Sequence, residues 1–356
     1  MTWRNRGLLD QFGIQHPVLL APMAGATNAD MVIRVSNAGG MGGLGAAGLK
    51  PDKLRQVVRD IKAGTDLPFQ VNLFAADTEH PVTSGVIGPG LRDRLEGYHR
   101  EMGLQELPEP RGLFGPVMEQ LNVLLEERVP VISFHFGIDQ ATVAHIHTAG
   151  AQVICSATTV AEARTLAAAG VDAIIAQGAE AGGHRGTFQG DYRDALIGTL
   201  ALVPQIKDAV NVPVVAAGGI MDARGLVAAL ALGASAVQMG TAFLGCRETP
   251  ITEAWRHQLF NNEADQLVVT SVLSGKPARG IRNRYITELE ALDEVMLPYP
   301  LQYSLSGALR ASAQAQNNPD FLAMWSGQGI GLLQKTTIEA LMKNLVTDAR
   351  RLISEL

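Results

Sequence analysis

Residues 176–188, AQGAEAGGHRGTF, place one histidine, His184, behind Gly182 and Gly183 and among residues almost without bulk. Such a histidine is either a turn residue facing solvent or an acid or base held against something flat that backbone must approach closely. Two more glycine-centred pairs, Gly218–Gly219 in AAGGI and Gly240–Thr241 in MGTAF, each end a short apolar run. Asn72 and Gln177 are polar residues at the ends of FQVNLF and AIIAQ, and His135 sits between two phenylalanines in FHFG. The two cysteines, Cys155 and Cys246, have no histidines at metal-ligand spacing, so no metal site is expected and both read as free buried thiols.

Eight short apolar runs carry these residues: 17–23, 42–46, 69–74, 131–136, 152–156, 173–177, 213–217 and 236–240. They are nearly continuous instead of alternating, as strands are when helices cover one face and a filled barrel interior the other. Helical patterns lie between them at 51–63, 141–149, 159–169 and 222–232, and several stop at a glycine just before the next run, in AGAQVI, AGVDAI and LGASAV. This repeated unit, with right-handed crossovers, predicts an α/β fold: a (β/α)8 TIM barrel over residues 1–245. A doubly wound open sheet is the alternative. An excursion at about 77–115 precedes a helix near 116–127. An appended, mainly helical segment is expected over 246–336, and a C-terminal helix over 337–356 that packs back on the barrel.

The 356 residues suit one barrel with such an addition, and 47% hydrophobic against 18% charged residues describes a compact chain. The formal charge of −6 comes from 29 basic and 35 acidic residues with no basic run, which argues against a nucleic-acid or anionic-membrane surface. The first apolar run is interrupted by Asp10, Gln11, Gln15 and His16, and no later run has the length of a membrane span. A cytoplasmic monomer or homodimer is expected.

In a barrel, function belongs to the C-terminal ends of the strands, and the loops after the seventh and eighth commonly hold a phosphate. The bland alternative is that both glycine pairs are only tight turns. No GxGxxG followed by an acidic residue marks a dinucleotide site, and MGGLGAAG at 41 lies on the second strand. Flavin mononucleotide, FMN, fits better: its phosphate at Gly218, Gly219, Gly240 and Thr241, its ring over the barrel mouth, and Asn72 and Gln177 at the ring's edge. Gly182 and Gly183 let the loop pass close to it, and Ala21, Pro22, Met23, Gln238 and Met239 at neighbouring strand ends complete the cofactor-binding set.

Together APMAG at 21, FHFG at 134, GAEAGGHRGTF at 178, AAGGI at 216 and MGTAF at 239 resemble the nitronate monooxygenases, once called 2-nitropropane dioxygenases, and most of all their bacterial class I. The match runs from about residue 8 to 245 and continues into LPYPLQYSLSGALR at 297. The resemblance implies an FMN barrel that oxidises alkyl nitronates with O2 to a carbonyl compound and nitrite, with propionate 3-nitronate as substrate, a detoxifying role and no metal. It makes His184 the catalytic residue, and it folds the segment at 297 over the barrel mouth so that Tyr299 and Tyr303 meet the substrate. Their spacing of four suggests one helix face, with Pro300 placing Tyr299 at the helix start.

Chemically, His184 either donates to the nitronate oxygens or, neutral, takes the α-proton of a nitroalkane. One electron would then pass to the flavin, giving a semiquinone that O2 discharges. His135 lines the pocket or is a satisfied wall residue, Ser156 and Thr158 are candidate pocket hydroxyls, and Arg185 and Arg310 pair a substrate carboxylate or are surface charges. Some relatives carry a lysine shortly after the second tyrosine, where this chain has Gly307 and then Arg310. Two other functions suit the scaffold: an NAD(P)H-dependent enoyl-acyl-carrier-protein or quinone reductase with a similar GGH loop, and a non-catalytic flavin-binding barrel. An inosinate-type enzyme does not fit, because Cys155 lies inside QVICSAT and not in a glycine-rich loop.

Overall fold

The computed structural model describes residues 3, 6–75, 85–112 and 117–355. All eight apolar runs are parallel strands: Val18–Leu20, Gly42–Gly45, Phe69–Phe74, Val131–His135, Gln152–Ala157, Ala173–Gln177, Val214–Ala217 and Ala236–Met239. Each pairs with the next around a TIM barrel, the eighth pairs with the first, and a bridge between Leu19 and Met41 joins first to second. Their side chains are almost wholly buried, which is why the runs do not alternate.

The connections are locally specified. Asn28, Asp139, Thr159 and Asp222 each cap the helix that follows by accepting from a backbone N–H of its first turn. At the other ends Gly150, Gly170 and Gly233 take left-handed φ of 82°, 91° and 99°, ending the helix one short loop before the next strand.

The glycines of MGGLGAAG serve packing. A Cβ on Gly42 would overlap the Val32 carbonyl of helix Ala29–Asn37, one on Gly43 the Leu20 carbonyl, and one on Gly45 the backbone of Met23 and Ala24. The second strand therefore lies against the first strand's outgoing loop with no room for a side chain.

A second hydrophobic core stands beside the barrel. It joins helix Pro89–Glu101, from the excursion, to the appended block: Leu91, Leu95 and Tyr98 share a cluster with Leu273, Tyr285, Leu301 and Phe321. Glu294 ties the two by accepting from the N–H groups of Gly90 (2.8 Å) and Leu91 (3.0 Å). Parts of the excursion, 76–84 and 113–116, lie outside the described residues.

The appended block is not helical throughout. It contains an antiparallel hairpin, Leu267–Thr270 with Ala278–Ile281, whose second strand pairs with Gly183–His184. Helix Ile338–Glu355 returns to lie on Ala29–Asn37 and Ala223–Ala231. Among the described residues no helix is long and apolar enough to cross a membrane.

A methyl group at Gly43 should destabilise the barrel by about 1–3 kcal/mol or more, because backbone must yield. Gly97→Ala, inside helix Pro89–Glu101 with open space at its Cβ position, should instead stabilise by about 0.5–1 kcal/mol. Urea denaturation of the two variants beside the parent protein checks both signs.

Candidate active site

The strand ends open into a cavity of about 450 Å³. Every residue expected in the cofactor set lines it: Ala21, Pro22, Met23, Asn72, Gln177, Gly182, Gly183, Gly218, Gly219, Gln238, Met239, Gly240 and Thr241. His135, His184, Tyr299 and Tyr303 line it too, with Phe74 and Trp325.

One part of the wall is bare backbone. Gly218 and Gly219 have φ of 116° and 71°, which side chains rarely adopt, and a Cβ on Gly218 would stand 3.0 Å from Thr199 Oγ1 and 3.1 Å from the Ala181 nitrogen. Beneath them Glu180 accepts from the Thr199 N–H and hydroxyl and so fixes the start of helix Thr199–Ala209. Across the barrel mouth runs a row of amides: Asn72 donates to Ser133 Oγ (3.2 Å), and Gln238 accepts from Gln70 Nε2 (3.1 Å). Bare backbone for a phosphate, a polar row for a ring edge and apolar walls between them fit FMN in size and in donor chemistry.

His184 enters this cavity at the end of a loop held by buried polar groups. Its carbonyl accepts from Nε2 of both His135 and Gln177, each at 3.0 Å. Gln177 Oε1 also accepts from the Gly186 N–H (2.8 Å). Farther along, the buried Glu162 accepts from the N–H groups of Phe188 (2.6 Å) and Gln189 (3.0 Å) and from Thr158. Thr158 is thus committed to this clamp, while Ser156 lines the cavity.

The His184 ring is caged by aromatics. Ring centroids lie 5.5 Å away at Trp325, 5.7 Å at Phe74, 6.0 Å at Tyr299 and 6.2 Å at Phe136. Phe136 has φ 73°, a conformation that costs a bulky residue on the order of 1–3 kcal/mol and that marks sites where geometry matters more than local stability. Its ring face carries the Lys276 ammonium at 4.0 Å. Burial, reinforced by the positive field of Lys276 and Arg310, lowers the His184 pKa to about 3. Burial also lowers His135, to about 4. Both imidazoles are neutral at physiological pH.

Several expected residues take a different part. His135 lines the cavity, but its Nε2 is spent on the His184 carbonyl and its Nδ1 on Ser156 Oγ (3.0 Å), so it is a wall residue that supports the loop. Gln177 likewise spends its amide on that loop. Arg185 is neither a substrate ligand nor a surface charge: 1% exposed, it donates to the carbonyls of Gly178, Gln177 and Ala195. Arg310 donates to the Tyr303 and Ser306 carbonyls and stacks 3.4 Å from the Tyr303 ring centre. Tyr299 and Tyr303 do not share a helix face, since Pro300 caps a helix that begins only at Leu301, yet both reach the cavity.

Sequence reading missed the segment 325–327. Ser326 and Gly327 cross directly over Gly182, where a Cβ would stand 2.5 Å from the Ser326 carbonyl carbon. The Gly327 N–H donates to Thr241 Oγ1 (2.9 Å). The available signal was the glycine pair in WSGQG, Gly327 and Gly329, both of which line the cavity.

Comparison with known proteins agrees with this geometry. The family model described as nitronate monooxygenase matches residues 5–348. Nitronate monooxygenase of Pseudomonas aeruginosa is 41% identical over 359 residues, covering 98% of this chain and 100% of the relative. That of Paraburkholderia phytofirmans is 39% identical, covering 99% and 97%. Among solved structures, nitroalkane oxidase from Streptomyces ansochromogenes superposes with TM-score 0.88 at 33% identity over 98% of this chain and 99% of its own. FabK from Thermotoga maritima superposes with 0.77 at 28% over 99% and 98%. With the whole barrel, the GGH loop and the appended block all inside the match, this chain is an oxidoreductase that belongs to the nitronate monooxygenase family.

Proposed function

We propose that this chain binds FMN and oxidises alkyl nitronates, propionate 3-nitronate among them, with O2 to a carbonyl compound and nitrite. The observation that carries the reading is a neutral, caged histidine beside a glycine-lined cradle in one cavity. Gly218, Gly219, Gly240 and Thr241 would hold the phosphate, and Asn72 and Gln238 the polar edge of the ring. Bound FMN supplies the electron acceptor and the reactivity toward O2. The chain's own residues bind the anion, orient it and keep water out.

The aromatic cage around His184 admits a small organic anion and leaves little room for water. Lys276 and Arg310 set a positive field there, which favours the delocalised negative charge of a nitronate. The Tyr299 phenol is pushed up by burial and keeps its O–H as a donor. Arg310 stacks over Tyr303, which lines the pocket.

One observation favours a second substrate form. The His184 Nε2 is engaged by Ser274 Oγ at 2.9 Å, whereas Nδ1 of this cavity-lining ring has no partner among the described residues. A neutral ring with a bare nitrogen suits removal of the α-proton from a neutral nitroalkane, giving the nitronate in place. Nitronates that arrive ionised need no such step.

Under anaerobic conditions propionate 3-nitronate should change the visible spectrum of the flavin-loaded protein and NADH should not; bleaching by NADH alone would make it a reductase. His184→Asn should keep its flavin, measured by absorbance, yet lose about 10²–10⁴-fold in kcat/KM for nitroethane. Its loss with nitronates should be smaller, and equal losses would rule out the proton-abstraction role.

The pH dependence has a defined sign. Both histidines bind protons less readily folded (about 3 and about 4) than unfolded, near 6.5, so the unfolded chain takes up more protons as pH falls from 6.5. Stability should therefore be full above about pH 6.5 and decline toward pH 5, before most carboxylates titrate, as read from urea midpoints. Likewise kcat/KM for nitroethane should show no His184 inflection near 6.5.

A further inference from the structure

We propose that Ser274 is a positioning residue that holds His184 in its Nε2–H form and thereby leaves the Nδ1 lone pair, not an N–H, to the substrate. The inference rests on the role given to His184 above.

Ser274 is fully buried and does not line the cavity. Its Oγ lies 2.9 Å from His184 Nε2, 3.0 Å from the Lys276 carbonyl oxygen and 3.2 Å from the Lys276 nitrogen. A serine hydroxyl has one proton to give, the carbonyl can only accept, and the backbone N–H can only donate. All three contacts are filled in one arrangement: the hydroxyl donates to the Lys276 carbonyl and accepts from the Lys276 N–H and from Nε2–H of His184. If the hydroxyl donated to Nε2 instead, the carbonyl would lose its bond, a cost that buried polar groups seldom bear.

The turn that carries Ser274 is pinned on every side. The N–H groups of Ser274 and Gly275 bond to the Ser271 carbonyl at 3.2 and 2.7 Å. Gly275 has φ 86°, and a Cβ there would overlap the Leu297 carbonyl. The Val272 and Leu273 carbonyls are held by Gln302 Nε2 (2.9 Å) and Ser306 Oγ (3.3 Å). Two residues on, the Lys276 ammonium stands over Phe136, whose ring neighbours His184.

The proton balance is then defined. Nδ1 takes the α-proton of a neutral nitroalkane, the electron pair of that C–H bond becomes the carbon–nitrogen double bond of the nitronate, and Nε2–H stays on Ser274. The ring becomes an imidazolium beside the anion it has made, and it returns the proton to solvent after turnover.

The test is the protonation pattern of His184 in the flavin-loaded enzyme labelled with ¹⁵N-histidine, its signals identified by their loss in His184→Asn. The wild type should show Nε2 protonated and Nδ1 bare. Ser274→Ala, and the near-isosteric Ser274→Cys, should populate the Nδ1–H form and lower kcat for nitroethane about tenfold or more while KM and flavin content hold. A wild-type spectrum with Nδ1 protonated overturns the proposal without any variant, as does an Ser274→Ala enzyme with an unchanged tautomer. Failure of the underlying functional reading shows separately: a wild type that turns over no nitronate while its tautomer is as assigned.

Discussion

The carbonyl oxygen of His184 is gripped by two side chains at once, Nε2 of His135 and Nε2 of Gln177, and the geometry of the cavity depends on that grip. A loop of glycines and alanines has no side chains with which to pack itself, so its shape must be imposed from outside. The barrel imposes it with buried polar groups that grip the backbone: the Arg185 guanidinium on three carbonyls, Gln177 on both sides of the turn, Glu162 on the loop's far end. In low dielectric such a network is rigid because breaking one member strands another.

The same burial sets the chemistry. Desolvation keeps both His135 and His184 neutral, and the cations nearby hold them so, Arg185 and Lys276 at the first, Lys276 and Arg310 at the second. A pocket whose histidine rests neutral but which carries positive potential is suited to an anion that is made or bound there. Water exclusion by Phe74, Phe136, Tyr299 and Trp325 strengthens both effects.

Barrel and appended block form a single site. The hairpin strand Ala278–Ile281 extends Gly183–His184 as an antiparallel neighbour, and Ser326 and Gly327 lie across Gly182, with no space for a Cβ on either glycine. Gly327 is itself packed against the Glu180 carbonyl and Thr241 Oγ1. Glycine at these crossings reflects the closeness of two backbones, and the block is therefore part of the loop's support as well as a wall of the pocket.

What the sequence determined by itself is what depends on neighbours in the chain. The eight strands were legible because parallel strands buried on both faces read as unbroken apolar runs, and the helix ends because a capping side chain or a left-handed glycine acts within a few residues. The cavity-lining set was legible for the same reason: a barrel delivers strand ends to one face, so the residues ending each run must meet. Tertiary structure alone decided how those residues are used. Gln177 and His135 reach the cavity but spend their donors on the His184 carbonyl, Arg185 turns inward, and the hairpin that pairs with Gly183–His184 comes from a block that read as mainly helical. The partner of the His184 ring, Ser274, stands 90 residues away in sequence. No local pattern encodes such a hydrogen bond, because its energy exists only once the two segments have been brought into contact by the packing of everything between them.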